Sequence, residues 1–206
     1  MIGIINYGSG NVSAITRAYK NLNIPTLGIT KPDQLADVDR IILPGVGAFD
    51  YTMSLLSTSG FKGGLQEHVV NREKPILGIC VGLQVMGYGS DEGCEEGFGW
   101  IPGKVKKFSA QKINSKPKLP HMGWNTVNDL HGHPLLSGLE HDLGFYFIHS
   151  YYMNCENDEN VLTTTDYGVR FSSSIYRNNI FGVQFHPEKS HKNGISLLKN
   201  FSEIPL

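Results

Sequence analysis

The chain has 206 residues, of which 40% are hydrophobic and 18% are charged, and its formal net charge at pH 7 is -1. This composition excludes a disordered chain, which combines low hydrophobicity with high net charge, and it provides no basic field for nucleic acid or anionic lipid. Glycine supplies 24 residues, well above the roughly 7% that is ordinary in globular proteins. The surplus indicates places where the backbone needs conformational freedom.

The first half of the chain alternates strand-like and helix-like segments. Asn11 can cap a helix, a helical pattern begins near Phe49, and Val81–Gly89 is predicted as a short helix. Apolar strands separated by helices are typical of a parallel sheet covered by helices on both faces, in a doubly wound layout. The predicted strands are Ile2–Asn6, Pro25–Thr30, Arg40–Leu43 and Pro75–Ile79.

The second half is predicted to contain short strands separated by turns, in a more antiparallel style. A final helix is predicted from about Asn193, and no linker divides the halves, so we expect one domain over residues 1–206. The predicted strands are Lys104–Lys107, Trp124–Val127, Phe145–Ser150, Val161–Thr165, Phe171–Tyr176 and Ile180–Phe185.

The cysteines and the first residues of the chain give an expectation for the cellular compartment. Cys80, Cys94 and Cys155 form no CxxC pair, which excludes a zinc ribbon and a disulfide scaffold. The first residues lack the basic region and cleavage site of a signal peptide, and the longest apolar run, Pro75–Leu83, is far short of the ~20 residues that span a bilayer. We therefore expect a soluble cytoplasmic protein.

A candidate nucleophile lies at a strand-to-helix junction. Cys80 stands in Gly78-Ile-Cys-Val-Gly82, directly after an apolar strand, and a G-x-nucleophile-x-G segment there forms a sharp elbow. The flanking glycines remove side chains that would collide in the turn, and the following helix N-terminus favours a thiolate. A buried structural cysteine is the alternative.

A candidate base follows the last predicted strand. His186 and Glu188 are two residues apart in a segment predicted as extended, so their side chains would lie on the same side. An imidazolium favours a thiolate, and a carboxylate fixes the imidazole's orientation. Metal binding by His186, Glu188 and His191 is disfavoured because the HExxH spacing is absent. His121 and His149 are interpreted as structural histidines near the site.

An acyl-transfer site also needs donors for an oxyanion. Leu43-Pro-Gly-Val-Gly47 ends the third predicted strand beside the elbow, and its glycines allow N–H groups to turn outward. The N–H of Val81, at the helix start, could complete the pair. A tight strand-to-helix loop without a catalytic role is the alternative.

Several segments together resemble the class I glutamine amidotransferases with a Cys-His-Glu triad, and most closely the glutaminase subunits of imidazole glycerol phosphate synthase. The resemblance runs along the whole chain and implies a flavodoxin-like fold. The motifs are Tyr7-Gly-Ser-Gly-Asn11, Leu43-Pro-Gly-Val-Gly-Ala-Phe49, Gly78-Ile-Cys-Val-Gly-Leu-Gln84, Pro120-His-Met-Gly-Trp-Asn125, His149-Ser-Tyr151 and Gly182-Val-Gln-Phe-His-Pro-Glu-Lys-Ser190.

The resemblance implies that Cys80 attacks the side-chain amide of glutamine, releasing ammonia and leaving a thioester that water hydrolyses. His186 would then shuttle protons, Glu188 would orient it, and the N–H groups of Val46 and Val81 would be the oxyanion donors. No cofactor or metal is implied. The glutamine-recognition positions would be Gly47, Gln84, Glu92, Ser150 and Tyr151.

The resemblance also implies a heterodimer with a (β/α)8-barrel cyclase that receives ammonia for histidine biosynthesis, making imidazole glycerol phosphate and AICAR ribonucleotide. Asn11, Trp124 and Lys189 are the predicted interface residues; their alternative is an ordinary surface amide and lysine and a core tryptophan. Asn6 stands where the family commonly has aspartate, and Val81 replaces a frequent leucine. The Ser190-His191 junction is similar to relatives that serve surface-sugar amidation, which is the alternative pathway.

Two other classes of function compete with this one. Gly8-Ser-Gly-Asn-Val-Ser13 follows a strand and opens a helix, as a phosphate-binding loop would, but the third glycine of GxGxxG is absent. A Cys-His hydrolase acting alone would use the same elbow and base. Glutamine specificity and dependence on a partner distinguish it from an amidotransferase.

Overall fold

The computed structural model describes residues 1–114, 116, 118–129 and 131–205. The strands are β1 Ile2–Ile5, β2 Thr26–Ile29, β3 Arg40–Gly45, β4 Ile76–Cys80, β5 Gly103–Lys107, β6 His121–Asn125, β7 Asn128–Asp129, β8 Phe145–His149, β9 Tyr151–Cys155, β10 Val161–Tyr167, β11 Val169–Arg177 and β12 Ile180–Val183. The helices are α1 Val12–Asn21, α2 Phe49–Thr58, α3 Phe61–Leu65, α4 Val81–Gln84 and α5 His191–Glu203, and α3 continues as a π-helical turn over Gln66–Asn71.

Within the described residues, a mixed sheet of eight strands has the order β2-β1-β3-β4-β12-β11-β10-β7. The first five strands in this order, β2, β1, β3, β4 and β12, are parallel to one another. The remaining strands, β11, β10 and β7, each run antiparallel to the strand before them. Helices lie on both sides of the sheet. The predicted α/β class is confirmed, and the strands of the first half are parallel as predicted. The second half is antiparallel except at β12, which pairs parallel with β4.

Two antiparallel ribbons stand outside this sheet. β5 pairs with β9, and β6 pairs with β8. The sequence pattern did not predict β9 or β7, and the strand predicted over Trp124–Val127 instead covers His121–Asn125. The ribbon pairing explains this shift, because His121 is in register with His149 and Asn125 with Phe145.

The helices form where apolar residues recur at helical spacing. α1 buries Ile15, Ala18 and Tyr19, and Asn11 caps it by accepting a hydrogen bond from the Ala14 N–H (3.3 Å). α1 packs against α5, where the Tyr19 hydroxyl donates to the Leu198 carbonyl (3.1 Å). These contacts close one face of the sheet over its apolar strands.

The helix predicted over Val81–Gly89 is shorter in the structure and ends at Gln84. A returning loop uses the carbonyls that a longer helix would need. Phe98 N–H donates to the Val85 carbonyl (2.8 Å) and Ile101 N–H to the Met86 carbonyl (3.0 Å). The chain therefore leaves the helix after one turn.

The carboxyl ends of β3, β4 and β12 meet at one edge of the sheet. In the register, Gly45 lies beside Cys80, and Ile79 lies beside Val183. The residues that follow each of these strands are therefore brought together, at the edge where open α/β sheets hold their ligands.

Candidate active site

Cys80 ends β4 in a strained backbone conformation, with φ 57° and ψ -112°. A non-glycine residue at positive φ is uncommon and is concentrated at functional sites. The glycines on both sides are required: a Cβ on Gly78 would lie 2.5 Å from the Gly82 carbonyl oxygen, and one on Gly82 would lie 2.0 Å from the Leu43 carbonyl oxygen. The structure therefore has the sharp elbow that the sequence predicts.

His186 and Glu188 form a buried hydrogen-bonded pair. Nδ1 of His186 lies 2.8 Å from Oε1 of Glu188, and their side chains are 4% and 1% exposed. The prediction of an extended segment here is wrong: Pro187–Lys189 is a 3-10 turn. The turn replaces the strand because Pro187 has no N–H to donate to a sheet, and the hydroxyl of Ser190 closes it on the His186 carbonyl (2.6 Å).

The electrostatics of this pair favour a charged imidazole. Burial alone would lower the pKa of His186, but interaction with the Cys80 sulfur and the hydrogen bond to Glu188 outweigh it and raise this pKa above its ordinary value. Nε2 of His186 is buried and has no hydrogen-bond partner within the described part of the chain. Cys80 and His186 line the same cavity, so the imidazole is placed to take up the proton of the thiol.

Gln184, which is not among the predicted site residues, also contacts the nucleophile. Its side chain is fully buried, and Nε2 lies 3.6 Å from Sγ of Cys80. Its Oε1 accepts a hydrogen bond from Nε2 of Gln84 (3.0 Å). Gln184 stands two residues before His186 at the end of an apolar strand, and this spacing is the signal that could have identified it.

A cavity of about 410 Å³ opens beside the thiol. It brings together most of the predicted site residues, whereas Glu188 lies behind His186, and Asn11 and Trp124 do not line it. The lining residues are Val46, Gly47, Cys80, Val81, Gln84, Glu92, Pro120, Ile148, His149, Ser150, Tyr151, His186 and Lys189.

Ser9 binds the peptide groups on both sides of Val46. The Val46 N–H donates to Oγ of Ser9 (3.0 Å), and the same hydroxyl donates to the Val46 carbonyl (2.8 Å). The N–H predicted as an oxyanion donor is therefore occupied in this conformation. Val81 is the first residue of α4, so its N–H has no acceptor within that helix.

Two predicted recognition residues have part of their hydrogen-bonding capacity in use. Gln84 donates from Nε2 to the Tyr151 carbonyl (3.0 Å) as well as to Gln184, so its Oε1 is the group that can still accept from a ligand. Glu92 accepts the N–H of Phe49 on Oε2 (2.8 Å), which caps α2. Its second carboxylate oxygen can still bind a cation.

Comparison with known proteins identifies the family. The model of class-I glutamine amidotransferases matches residues 3–204. The chain belongs to the class-I glutamine amidotransferase family. It is 46% identical over 204 residues to the imidazole glycerol phosphate synthase subunit HisH of Leptospira interrogans, and 47% identical over 204 residues to that of Bdellovibrio bacteriovorus. Each alignment covers 99% of this chain and 100% of the relative.

Solved structures agree on the fold. A glutamine amidotransferase superposes with a TM-score of 0.73 at 17% identity, covering 98% of this chain and 97% of that one. PurLQS from Thermotoga maritima gives a TM-score of 0.73 at 19% identity, with the same coverage. At these identities the likeness concerns the fold alone.

The β6–β8 ribbon of this amidotransferase presents an exposed apolar surface beside the cavity. We call Met122, Trp124, Tyr146 and Ile148 the ribbon face. Met122, Trp124 and Ile148 are 54%, 49% and 37% exposed, so Trp124 is a surface residue and not a core one. Lys189 places Nζ 5.4 Å from the ring centre of Tyr146, at the border between the ribbon face and the cavity.

The third predicted interface residue, Asn11, has a structural role as the cap of α1. Its side chain also accepts from the Ser13 hydroxyl (3.3 Å). The capping role is sufficient to explain the asparagine at this position. Asn11 is not among the residues that line the cavity.

His121 and His149 form a buried pair that supports the ribbon. Nδ1 of His121 lies 3.0 Å from Nε2 of His149, whose Nδ1 donates to the Tyr151 carbonyl (2.8 Å). Burial lowers the pKa of His121 to about 4 and that of His149 to about 3. Both are therefore neutral, hydrogen-bonded side chains at pH 7, which agrees with the structural interpretation.

Over the described residues, no group of three or more His, Cys, Asp and Glu side chains could hold a metal ion. His191 stacks on the Trp124 ring, with centres 5.2 Å apart and planes 2° from parallel. Among the helices that the structure describes, none is long and apolar enough to cross a bilayer.

Proposed function

We propose that this chain is the glutaminase subunit of an imidazole glycerol phosphate synthase, hydrolysing glutamine and delivering ammonia to a barrel cyclase. The observation that carries the proposal is the strained Cys80 elbow, which opens into the same cavity as the buried His186–Glu188 pair. Full-length identity of 46% and 47% to the HisH proteins supports the choice of pathway.

In the first half-reaction the Cys80 thiolate attacks the δ-carbon of glutamine. The C–S bond forms as the carbonyl π electrons move to oxygen, and the tetrahedral intermediate then collapses with cleavage of the C–N bond. Imidazolium His186 gives its Nε2 proton to the departing nitrogen, so ammonia leaves and a glutamyl thioester remains. Glu188 holds the ring through Nδ1 and stabilises its charge.

In the second half-reaction neutral His186 removes a proton from water, which attacks the thioester carbon. The C–S bond breaks, glutamate leaves, and the proton on His186 restores the imidazolium beside the Cys80 thiolate. Both tetrahedral intermediates carry an oxyanion. We assign its donors to the N–H groups of Val46 and Val81, which requires that Val46 be released from Ser9 before catalysis.

Recognition of glutamine follows from the acceptors that remain in the cavity. Oε1 of Gln84 and the second carboxylate oxygen of Glu92 both suit an ammonium group, so we assign them to the α-ammonium of the substrate. Gly47, Ser150 and Tyr151 line the rest of the cavity and complete the predicted recognition set. Repulsion between like charges would keep the α-carboxylate of the substrate away from Glu92.

The ribbon face is the proposed docking surface for the (β/α)8-barrel cyclase. Trp124 is an exposed aromatic residue of the type that anchors interfaces, and Lys189 joins this face to the cavity. Docking there would cover the mouth of the site. Ammonia released into water mostly becomes ammonium, which has no lone pair for attack, so direct transfer to the partner preserves the nucleophile.

A pairing experiment tests the proposal. The purified chain is mixed with a barrel cyclase of histidine biosynthesis and its nucleotide substrate, N'-[(5'-phosphoribulosyl)formimino]-AICAR ribonucleotide, and glutamate release is measured. We expect release to rise with the cyclase and its nucleotide, and to be lost in Cys80→Ser. Absence of any response to that cyclase, with a response to a barrel partner of surface-sugar amidation, would assign the chain to the other pathway.

A further inference from the structure

Gln184 is the one amide side chain described within hydrogen-bonding distance of the nucleophile. Gln184 is 0% exposed, and its backbone N–H donates to the Ser173 carbonyl (2.9 Å). Its side-chain Nε2 lies 3.6 Å from Sγ of Cys80. A buried amide N–H without an acceptor is costly, so the sulfur satisfies a group that water cannot reach.

The neighbours of Gln184 determine which end of its amide faces the sulfur. The Tyr151 carbonyl can only accept, so the Gln84 atom that lies 3.0 Å from it must be the NH2 group. That NH2 group lies 3.0 Å from the Gln184 amide, which must present its oxygen there. The Gln184 NH2 group is then the end that faces Cys80.

The hydrogen bonds that orient the Gln184 amide are buried. Gln84 and Gln184 are 3% and 0% exposed, and the Tyr151 carbonyl also accepts from Nδ1 of His149 (2.8 Å). Reversing the Gln184 amide would set its oxygen against the sulfur and two NH2 groups against each other. The donor is therefore fixed in place before substrate arrives.

A donor fixed on sulfur favours the charged form, because a thiolate accepts hydrogen bonds more strongly than a thiol. We propose that Gln184 is a further catalytic residue, whose Nε2–H donates to the Cys80 thiolate before attack and again when sulfur is the leaving group of thioester hydrolysis. The inference rests on the proposed function for its catalytic meaning, since both steps belong to the glutaminase cycle.

The amide also complements His186. The imidazolium must give up its proton to the leaving nitrogen, so it stops stabilising the sulfur during the cycle. The Gln184 amide has no proton to lose and can remain on the sulfur throughout. Being neutral, it stabilises the thiolate less than a second cation would, and so preserves the nucleophilicity that falls as a thiol becomes more acidic.

Alkylation of Cys80 by iodoacetamide over a pH series tests the donor without using glutamine. Gln184→Met keeps the side-chain length and removes the amide. A hydrogen bond to a charged group supports about a tenfold preference for the thiolate. We therefore expect the profile of Q184M to be displaced to higher pH by about one unit, with alkylation about tenfold slower on the acid limb of the profile. Peptide mapping identifies the alkylated cysteine.

The titratable groups that surround the site are the same in the wild type and in Q184M. They therefore do not account for a displacement of the alkylation profile between the two proteins. Gln66→Met is the matched control, because Gln66 is an amide that accepts from Trp100 Nε1 (3.0 Å) outside the cavity; its profile should coincide with the wild type. The titratable groups are Tyr7, Glu92, His149, His186, Glu188 and Lys189.

Should Q184M fail to fold, as circular dichroism would reveal, Gln184→Glu keeps the acceptor for Gln84 and replaces the donor with a carboxylate. We expect it to displace the profile in the same direction and further than Q184M, because like charges repel. A profile of folded Q184M or Q184E that coincides with the wild type overturns the inference. A wild type that alkylates normally but never hydrolyses glutamine overturns the proposed function instead.

Discussion

Ser9→Ala tests whether the Ser9 hydroxyl restrains the loop after β3, Val46–Gly47, which we call the oxyanion loop. In the structure this single hydroxyl accepts the Val46 N–H (3.0 Å) and donates to the Val46 carbonyl (2.8 Å). While both bonds persist, the Val46 N–H cannot donate to a tetrahedral intermediate. Removing the hydroxyl leaves the Gly45–Val46 peptide free to turn toward the cavity, so we expect glutaminase activity without a partner to increase.

The size of the increase follows from the two hydrogen bonds. Each has a net value of about 1 kcal/mol, so losing both shifts the equilibrium by about 2 kcal/mol toward the released oxyanion loop. This corresponds to about 30-fold in rate. The upper limit is the contribution of one oxyanion donor, about 10² to 10³ in kcat. A larger gain would require another cause.

The assay is glutamate release by the isolated chain, with no cyclase and no nucleotide. Ser59→Ala is the matched control, because the Ser59 hydroxyl bonds a helix carbonyl at the end of α2 (2.6 Å), where it contacts neither Val46 nor the elbow. Folded Ser9→Ala protein with activity equal to or below that of the wild type would show that the Ser9 hydroxyl does not restrain the oxyanion loop.

Three further predictions concern stability, the triad and the interface. Burial lowers the pKa of His121 to about 4 and that of His149 to about 3, so below about pH 6.5 the unfolded chain binds more protons than the folded chain. The free energy of unfolding should therefore fall by about 2 kcal/mol per histidine between pH 7 and about pH 5. Urea titrations should show this loss of stability, and the loss should be smaller in His121→Gln. The Cys80 sulfur and the Glu188 carboxylate both raise the pKa of His186, and Glu188→Gln removes the second of these contributions. It should lower kcat for glutamate release by at least 10²-fold with little change in KM; an unchanged kcat contradicts the triad. Trp124→Ala should weaken cyclase binding by about tenfold or more in calorimetry, whereas Tyr51→Ala, an exposed aromatic on α2, should not.

The elbow was predictable because its chemistry is local. Gly78 and Gly82 flank Cys80 at a strand end, and the same spacing that identifies the turn identifies the nucleophile. The parallel core was predictable for a similar reason, since continuous apolar runs such as Ile76–Cys80 suit a strand buried on both faces.

The parts that sequence missed depend on contacts between distant segments. β9 is a strand because it pairs with β5, and α4 ends at Gln84 because a loop near Phe98 takes the next carbonyls. The Ser9–Val46 hydrogen bonds join residues 37 apart. Gln184 was missed because its spacing from His186 indicates only a shared side of the chain, and the contact with the Cys80 sulfur is visible only in the structure.

The His186–Glu188 pair shows a correct conclusion reached through a wrong local structure. The two side chains meet as predicted, at 2.8 Å, but a 3-10 turn brings them together. In that turn, the Ser190 hydroxyl holds the His186 carbonyl. Pro187 is visible in the sequence, but the 3-10 turn that replaces the strand there is visible only in the structure.

The central claim is that glutamine is hydrolysed through a thioester on Cys80. Acid quenching of the chain during turnover with glutamine, the cyclase and its nucleotide, followed by peptide mass spectrometry, tests it directly. The account predicts a glutamyl adduct on the peptide that contains Cys80, lost on treatment with hydroxylamine and absent from Cys80→Ser. Steady glutamate release by the wild type with no adduct on that cysteine, or undiminished release by Cys80→Ser, would contradict it.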